Sequence, residues 1–503
     1  MEVSKKIRGI DSSKFAISIF IFATLVLLIS KTLADADLWG HLRFGLDMIE
    51  DREITRVDPY SYLSGDQHWI NHEWLSELFF AFSWLAGGAT GLIILKTGIG
   101  ILTFLVIYLY LLKLNLSPIR AGSLIILVSL AVLPAITSVR PHLFTVFFSA
   151  LVFVIIANAE FGSYHWLWAC SPIFALWVNF HGGFLAGLGF LSIWIVFHTI
   201  FNPDKWSKII PPVLISFLAV LLNPYGMELI KFLLRTATIP RPEIVEWQPL
   251  NPISYWGAIY FILLFITLVG LKYSRKVKRL PLLVLIGVAA ILPFIAVRHL
   301  PIYAFAVIIF AGEHIGDAWV RFTGDSLGPS RLPNLISTLT IMTGLGVLVL
   351  SFSNFLYIKM PDDPIPFFPV KAVSLLKESN AEGNLGVEFN WGEYALWYLS
   401  PNIKISMDGR RETVYSEEEY QIYNSFINGI NDWDLLLRDF DTNLVLIASH
   451  GPAYNLLKLK DNWELVYEDS ASALFASQNF SQIDVLRSSI SAPFQSTDDG
   501  IFP

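Results

Sequence analysis

The chain has 503 residues, of which 54% are hydrophobic and 15% are charged, and its formal net charge is −7. Several apolar runs approach the roughly 17–25 residues that cross a bilayer, which excludes an ordinary soluble protein and predicts a polytopic membrane protein. The acidic balance argues against a nucleic-acid partner. The single cysteine, Cys170, excludes an intramolecular disulfide and argues against a cysteine-based metal site.

The apolar runs predict about eleven α-helical spans. The first of them is interpreted as a retained span, because no small-residue cleavage site marks it as a signal peptide. The predicted spans are 14–33, 89–112, 121–138, 142–158, 166–179, 183–200, 209–223, 254–272, 280–297, 299–312 and 333–356.

Basic residues predict the orientation of these spans, because cytoplasmic connections carry an excess of Lys and Arg. The densest basic cluster lies in the connection 272–279, and basic residues also precede the first span. This pattern places the N-terminus in the cytoplasm of a plasma (inner) membrane protein. An odd number of spans then places residues 357–503 outside the cytoplasm.

The external loop 34–77, between the first two spans, is richer in chemically active side chains than a plain connection needs to be. Apolar residues recur at helical spacing from Leu38 to Ile49, which predicts an amphipathic helix at the membrane surface. Such a helix would hold the aspartates of the loop where a lipid headgroup lies. The candidate side chains are Asp35, Asp37, His41, Arg43, His72 and Glu73.

Further polar residues lie at the predicted outer ends of spans or in outer loops. Polar groups at membrane depth usually face a cavity, so this bias to one side predicts a polar cavity that opens outward. Arg140 and Arg298 are candidates for holding a phosphate, which arginine binds well. The alternative is that these residues anchor helix ends at the interface. The candidates are Arg140, His142, His181, Glu246, Arg298 and His299.

The C-terminal part has the composition of a soluble domain. Residues 1–356 form the predicted transmembrane domain, 357–368 a proline-rich linker, 369–478 an external α/β domain and 479–503 a disordered tail. Helices and strands alternate in the third of these regions. The predicted elements are helix 369–379, strand 385–389, helix 391–399, strand 403–407, helices 416–428 and 431–440, strand 443–448, helix 452–459, and strands 463–468 and 471–476.

The segments 37–43 (DLWGHLR) and 58–62 (DPYSY) resemble the first external loop of GT-C glycosyltransferases. These are polytopic enzymes that use polyprenyl-phosphate sugars, and the likeness is closest to oligosaccharyltransferase catalytic subunits. The resemblance implies a GT-C-like membrane fold with a soluble domain outside. It also implies that Asp37 is the catalytic carboxylate, with Asp35 as the other candidate.

The order of motifs in the C-terminal domain is also similar to that of oligosaccharyltransferases. There a strand, a Trp-x-Asp-Tyr motif, a second strand and an Asp-Gly pair follow one another, and the tryptophan motif contacts the acceptor. The resemblance implies acceptor contacts by Trp391, Glu393 and Tyr394, although glutamate replaces aspartate in this chain. The alternative is that Glu393, Asp408, Arg410 and Arg411 form an internal salt-bridge cluster.

The predicted outer loops between the later spans carry no second Asp-x-Asp that would help to hold a metal. The sequence therefore does not decide whether the protein binds a divalent cation. If Mg or Mn binds, Asp37 is the candidate ligand.

These features predict an inverting GT-C glycosyltransferase of cell-envelope glycan biosynthesis. Its donor would be a polyprenyl-phosphate-linked sugar, and its acceptor a glycan, lipid or protein outside the cytoplasm. One alternative is a transporter or flippase of lipid-linked glycans, which predicts charges deep in several spans and internal symmetry. Only Lys96 lies at such a depth. Another alternative is a non-catalytic envelope assembly protein.

Overall fold

A computed structural model describes residues 12–65, 67–236, 244–324, 334–361, 367–490 and 502. The chain folds into two compact units. The first contains Met1–Thr32 and Ile93–Leu356, and the second contains Leu33–Leu92 and Tyr357–Pro503.

The first unit is a helical bundle. Helix α12 lies in its core, where all eleven of its residues are buried against the helices α4, α5, α10 and α11. A helix that is apolar on all sides needs this environment. The helices of the unit are α1 (Ser12–Ser30), the later part of α3 (Trp74–Lys113), α4 (Pro118–Ile136), α5 (His142–Glu160), α6 (Cys170–Phe180), α7 (Phe184–Phe201), α8 (Trp206–Ala219), α9 (Met227–Thr236), α10 (Tyr255–Tyr273), α11 (Leu280–Ile291), α12 (Leu300–Phe310), α13 (Gly312–Thr323) and α14 (Asn334–Ser351).

Seven helices in the described part of the chain are long and apolar enough to cross a membrane, or eight if the pair α12 and α13, bent by 62°, forms one span. The protein is therefore a multi-pass membrane protein, as predicted, but the count of eleven is not confirmed. The predicted spans 166–179, 209–223 and 280–297 correspond to the helices α6, α8 and α11. Their lengths are 11, 14 and 12 residues, which is shorter than a bilayer requires.

The buried charge in α3 has a structural role. The Lys96 side chain is fully buried, and its Nζ donates hydrogen bonds to the carbonyl oxygens of Ile29, at 2.7 Å, and Lys31, at 2.8 Å. Both carbonyls lie at the C-terminal end of α1, where helical partners are missing and a cation is favourable. The deep lysine therefore caps a helix, and it gives no support to a transport pathway.

The second unit is an α/β domain, as predicted. Its five-stranded sheet has the order β2-β1-β3-β5-β4, in which β1 is parallel to β2 and β3, and β5 is antiparallel to β3 and β4. Its elements are α2 (Leu38–Asp51), the first part of α3, α15 (Val370–Glu378), β1 (Gly383–Val387), α16 (Gly392–Leu399), β2 (Ile403–Ile405), α17 (Arg411–Val414), α18 (Glu417–Asn428), α19 (Leu435–Asp439), β3 (Leu444–Ala448), α20 (Pro452–Leu457), β4 (Trp463–Glu468), β5 (Ser472–Ser477) and α21 (Ile483–Ile490).

The loop after α2 pairs with the edge of this sheet. The Tyr62 amide donates to the carbonyl oxygen of Ile405 at 3.1 Å, and the Ile405 amide donates to that of Tyr60 at 3.1 Å. The structure therefore groups the whole of the loop 34–77 with the C-terminal domain, whereas the predicted division of the chain places it in the transmembrane domain. The reason is that these backbone groups find their hydrogen-bond partners on β2.

The predicted tail 479–503 is ordered in part. Helix α21 lies within it, and the side chains of Ile483 and Leu486 on that helix are buried. Burial of these two apolar residues offsets the cost of ordering the segment. Residues 491–501 of the predicted tail and 362–366 of the predicted linker lie outside the described residues.

Candidate functional site

Helix α2 presents the first candidate residues. The predicted helix is confirmed, but its apolar face packs against α16 instead of the membrane surface. Trp39 is fully buried, with its ring centroid 4.5 Å from that of Phe368 and 5.1 Å from that of Tyr394. The apolar spacing correctly predicted that one face of α2 is buried. It did not reveal whether lipid or protein buries that face.

Asp37 occupies the position just before the first turn of α2. Its neighbour across the fold is Gly409, where a β-carbon would lie 2.8 Å from Asp37 Oδ1 and 2.8 Å from Glu393 Oε1. Asp37 Oδ1 and Glu393 Oε1 are therefore at most twice 2.8 Å apart. Because Gly409 has no side chain, both carboxyl groups can approach its α-carbon.

The Glu393 carboxyl group is bound from its other side by α2. The backbone N–H of Gly40 donates to Glu393 Oε2 at 3.1 Å, and a β-carbon at Gly40 would overlap that carboxyl group. Burial raises the pKa of Glu393 well above its usual range. The negative charges of Asp37, Asp408 and Asp35 add to this rise, and the Arg410 guanidinium opposes it. Glu393 is therefore favoured as a neutral acid beside Asp37.

Arg410 joins the loop that contains Asp58 to the segment that follows β2. Its guanidinium binds Asp408 at 2.6 Å and Asp58 at 2.8 Å. It also lies 4.7 Å from the centroid of Phe44 and 4.8 Å from that of Trp69, within the range of cation–π contacts. This cluster confirms that Asp408 and Arg410 form an internal salt bridge. It also explains the DPYSY segment, because Asp58 supplies one of the two carboxylates.

The three predicted acceptor-binding residues are buried in this structure. Trp391 donates its indole N–H to the Phe367 carbonyl oxygen at 2.7 Å, and Tyr394 stacks on Phe368 with centroids 5.1 Å apart. Glu393 is only 3% exposed. The three side chains face the interior of the domain, and acceptor binding by them stays a prediction.

His41 and Arg43, predicted to bind substrate, hold neighbouring carboxylates. His41 Nδ1 lies 3.3 Å from Glu77 Oε1. Burial alone would lower the pKa of His41, but the hydrogen bond to Glu77 and nearby carboxylates outweigh it, so that the pKa is raised. Arg43 Nε donates to Asp47 at 2.9 Å, and Tyr60 donates its hydroxyl to the same oxygen at 2.6 Å.

The other predicted pair of the loop lies at the start of α3. His72 Nε2 is 3.7 Å from Glu73 Oε1, and the Glu73 amide donates to the Asn71 side chain at 3.2 Å. Asn71 also donates to Glu77 at 2.6 Å. These contacts organise the beginning of α3.

The first unit contains a second candidate site around Glu246. Arg140 binds one oxygen of this carboxylate at 3.3 Å, and Arg298 binds the other at 3.3 Å. The Arg298 guanidinium also lies 4.5 Å from the ring centroid of Trp247. Burial would raise the pKa of Glu246, but the charges of Arg140, Arg298 and His142 outweigh it and lower the pKa. Two arginines therefore converge on one anionic group, as a phosphate site requires.

The remaining histidines bind nearby backbone or side-chain groups. His181 ends α6, where its Nδ1 accepts the Gly183 amide at 2.9 Å and lies 2.8 Å from Thr145 Oγ1. His299 Nδ1 donates to the Leu292 carbonyl oxygen at 3.3 Å. His181 and His299 therefore lie where one helix ends or the next begins.

The sequence leaves a divalent-cation site open, with Asp37 as the candidate ligand. In the part of the chain that the structure describes, no three His, Cys, Asp or Glu side chains group as metal ligands.

Comparisons with known proteins were made at the level of sequence and of structure. No family model matches the chain, and no curated protein matches its sequence. The structure of an oligosaccharyltransferase from Archaeoglobus fulgidus, complexed with Zn and sulfate, matches with a TM-score of 0.55 and 12% identity. The match covers 86% of this chain and 68% of that one.

Two further solved structures have the same architecture. Apo ArnT from Cupriavidus metallidurans matches with a TM-score of 0.52 and 12% identity, over 92% of this chain and 97% of that one. The arabinofuranosyltransferase AftD from Mycobacteria matches with a TM-score of 0.53 and 13% identity. The match covers 93% of this chain but 40% of AftD.

This protein has a GT-C-like fold. The resemblance drawn from segments 37–43 and 58–62 is therefore confirmed at the level of the fold. At 12–13% identity, the likeness assigns no role to a residue of this GT-C-like protein, so the roles rest on its own geometry.

Sequence reasoning missed Gly40 and Gly409 as site residues. Both are near Glu393, where a β-carbon would meet its carboxyl group. Both glycines lie in motifs on which the resemblance rests, so the sequence could have indicated them. It could not show that they lie near Glu393, because Gly40 and Glu393 are 353 positions apart.

Proposed function

We propose that this GT-C-like protein is an inverting membrane glycosyltransferase that uses a polyprenyl-phosphate-linked sugar. The proposal rests on the Asp37 carboxylate, which lies near the buried acid Glu393 beside Gly409. The chain that carries this pair has a GT-C-like fold. ArnT, whose apo form has the same architecture, has also been solved bound to undecaprenyl phosphate. That fact supports a donor of this class for the present chain.

In the proposed reaction, the acceptor nucleophile attacks the anomeric carbon of the donor sugar. The bond between that carbon and the phosphate oxygen breaks, and the polyprenyl phosphate leaves with the electron pair. Asp37 takes the proton of the acceptor as a general base. A single displacement of this kind inverts the configuration at the anomeric carbon.

The arginine pair is proposed to bind the phosphate group of the donor. Arg140 and Arg298 already hold the Glu246 carboxylate, so a phosphate would take the place of an internal anion.

We also propose that the N-terminus is cytoplasmic and the α/β domain is outside. Opposite labelling of cysteines placed at the exposed Val277 and Leu459 by an impermeant maleimide would test that orientation.

Sugar transfer by the purified protein tests the proposed function. We expect transfer from at least one member of a panel of undecaprenyl-phosphate-linked monosaccharides to glycans extracted from the host envelope, with release of undecaprenyl phosphate. Mass spectrometry of both products measures the reaction. Movement of lipid-linked glycan across proteoliposomes without any transfer would instead favour a flippase.

Undecaprenyl phosphate binding tests the arginine pair separately. Arg298→Lys should weaken binding on the order of tenfold, because an ammonium cannot replace a planar guanidinium with two donors. Glu246→Gln should tighten binding, because the competing internal charge is lost. Native mass spectrometry measures both, with Arg275→Lys, an exposed site, as the control. Unchanged binding in Arg298→Lys would favour the interfacial alternative.

A further inference from the structure

Glu393 has an unusual set of neighbours for a buried carboxyl group. One oxygen accepts the Gly40 N–H in the first turn of α2, and the other reaches the point at Gly409 where the Asp37 carboxylate also lies. One side chain of α16 therefore contacts the helix that follows Asp37 and also approaches Asp37 itself.

The backbone around Glu393 is packed so closely that the side chain has little freedom. A β-carbon at Gly392 would overlap the Met407 carbonyl oxygen, and one at Gly40 would overlap the Glu393 carboxyl group. Arg410, held by Asp408 and Asp58, fixes the strand end next to Gly409. The glutamate is therefore held from α16, from α2 and from the segment after β2.

We propose that Glu393 is a positioning residue for Asp37, which it holds in place by binding the first turn of α2 and by occupying the space beside the Asp37 carboxylate at Gly409. This inference rests on the proposed function, and it replaces the acceptor contact predicted for Glu393. A misplacement of a catalytic group by about 1 Å costs roughly a hundredfold in rate. A residue that fixes the position of Asp37 therefore affects the rate.

Two substitutions at Glu393 separate positioning from charge. Glu393→Gln retains an oxygen for the Gly40 N–H and places an amide donor toward Asp37, so it should support most of the parent activity. Glu393→Ala removes both contacts. Its kcat for transfer from the undecaprenyl-phosphate sugar that the parent uses should fall roughly 10- to 100-fold, with KM changed less than about threefold.

Glu388→Ala is the matched control. Glu388 Oε1 also accepts a backbone N–H, that of Ala448 at 3.2 Å, and no contact links Glu388 to Asp37 in the described residues. Its removal should lower thermal stability without lowering kcat. A loss of kcat in Glu388→Ala equal to that in Glu393→Ala would overturn the proposal, because any buried glutamate of the domain would then have the same effect.

Hydrogen exchange at Gly40 provides a readout that does not depend on activity. The amide of Gly40 should exchange faster in Glu393→Ala and at the parent rate in Glu393→Gln. Fast exchange with parent kcat would show that the contact is structural only and would overturn the proposal. Gln as inactive as Ala would also overturn it, because a negative charge would then be required.

Gly409→Ala tests the same geometry if Glu393→Ala does not fold. Its methyl group would lie 2.8 Å from both carboxyl oxygens, so it should separate them and lower kcat. Gly451→Ala, where the nearest atom would lie 3.7 Å from the new β-carbon, is its control. Parent kcat in a folded Gly409→Ala protein would overturn the proposal. Absence of transfer by the parent would instead refute the proposed function, while the exchange result still tests the contact.

Discussion

Asp37→Asn should reduce glycosyl transfer by roughly two to four powers of ten, the range for a lost general base. The substitution keeps the shape of the side chain and removes its charge and basicity. Insertion into the membrane and abundance should stay normal, because asparagine retains the size and polarity of the side chain. Transfer from a defined lipid-linked sugar, or restoration of a glycan in a deletion strain, measures the effect.

Asp35→Asn is the control for this experiment. Asp35 Oδ1 accepts the backbone N–H of Asp37 at 3.2 Å, and asparagine retains an oxygen for that bond. We therefore expect a smaller loss than for Asp37→Asn. A larger loss would identify Asp35 as the base. Parent activity in both single variants and in the double variant would refute the enzymatic interpretation and favour a binding or assembly role.

Arg410→Met should lower the free energy of unfolding of the second unit by about 3–5 kcal/mol, the usual cost of removing one partner of a buried ion pair. The Asp58 and Asp408 side chains are fully buried, so both carboxylates would lose their charge partner in the interior. Thermal unfolding in detergent, followed by near-UV circular dichroism, measures the loss. Arg438→Met, at a guanidinium that is 53% exposed, is the matched control and should change little.

The loss in Arg410→Met should depend on pH. Burial raises the pKa of Asp408 in the parent protein, and Arg410 opposes that rise, so the pKa rises further when the guanidinium is removed. A carboxyl group with a folded pKa above its unfolded value contributes stability that is lost as the pH rises. The difference from the parent should therefore shrink as the pH falls from 7 toward about 5. If the free energies of unfolding of Arg410→Met and the parent differ by the same amount across this range, the role assigned to the carboxylates is contradicted.

The fold class was readable from local patterns. Apolar runs predicted a multi-pass membrane protein, and alternating segments predicted the α/β domain with most elements near their observed bounds, such as strand 443–448 against Leu444–Ala448. These patterns are local, because burial on one face imposes a period on consecutive residues. The number of spans was harder to predict, since apolar composition is shared by short core helices and by full spans.

The assembly of the candidate site was not readable in this way. Asp37 and Glu393 were both selected from the sequence, but their meeting at Gly409 depends on contacts between distant segments. Gly40 and Glu393 are 353 positions apart, and Asp58 and Arg410 are 352 apart. Glu393, which the resemblance suggests as an acceptor contact, is buried beside α2 and the segment that follows β2. Only the folded chain decides this, because spacing along a sequence does not reveal which non-local partners satisfy a polar group.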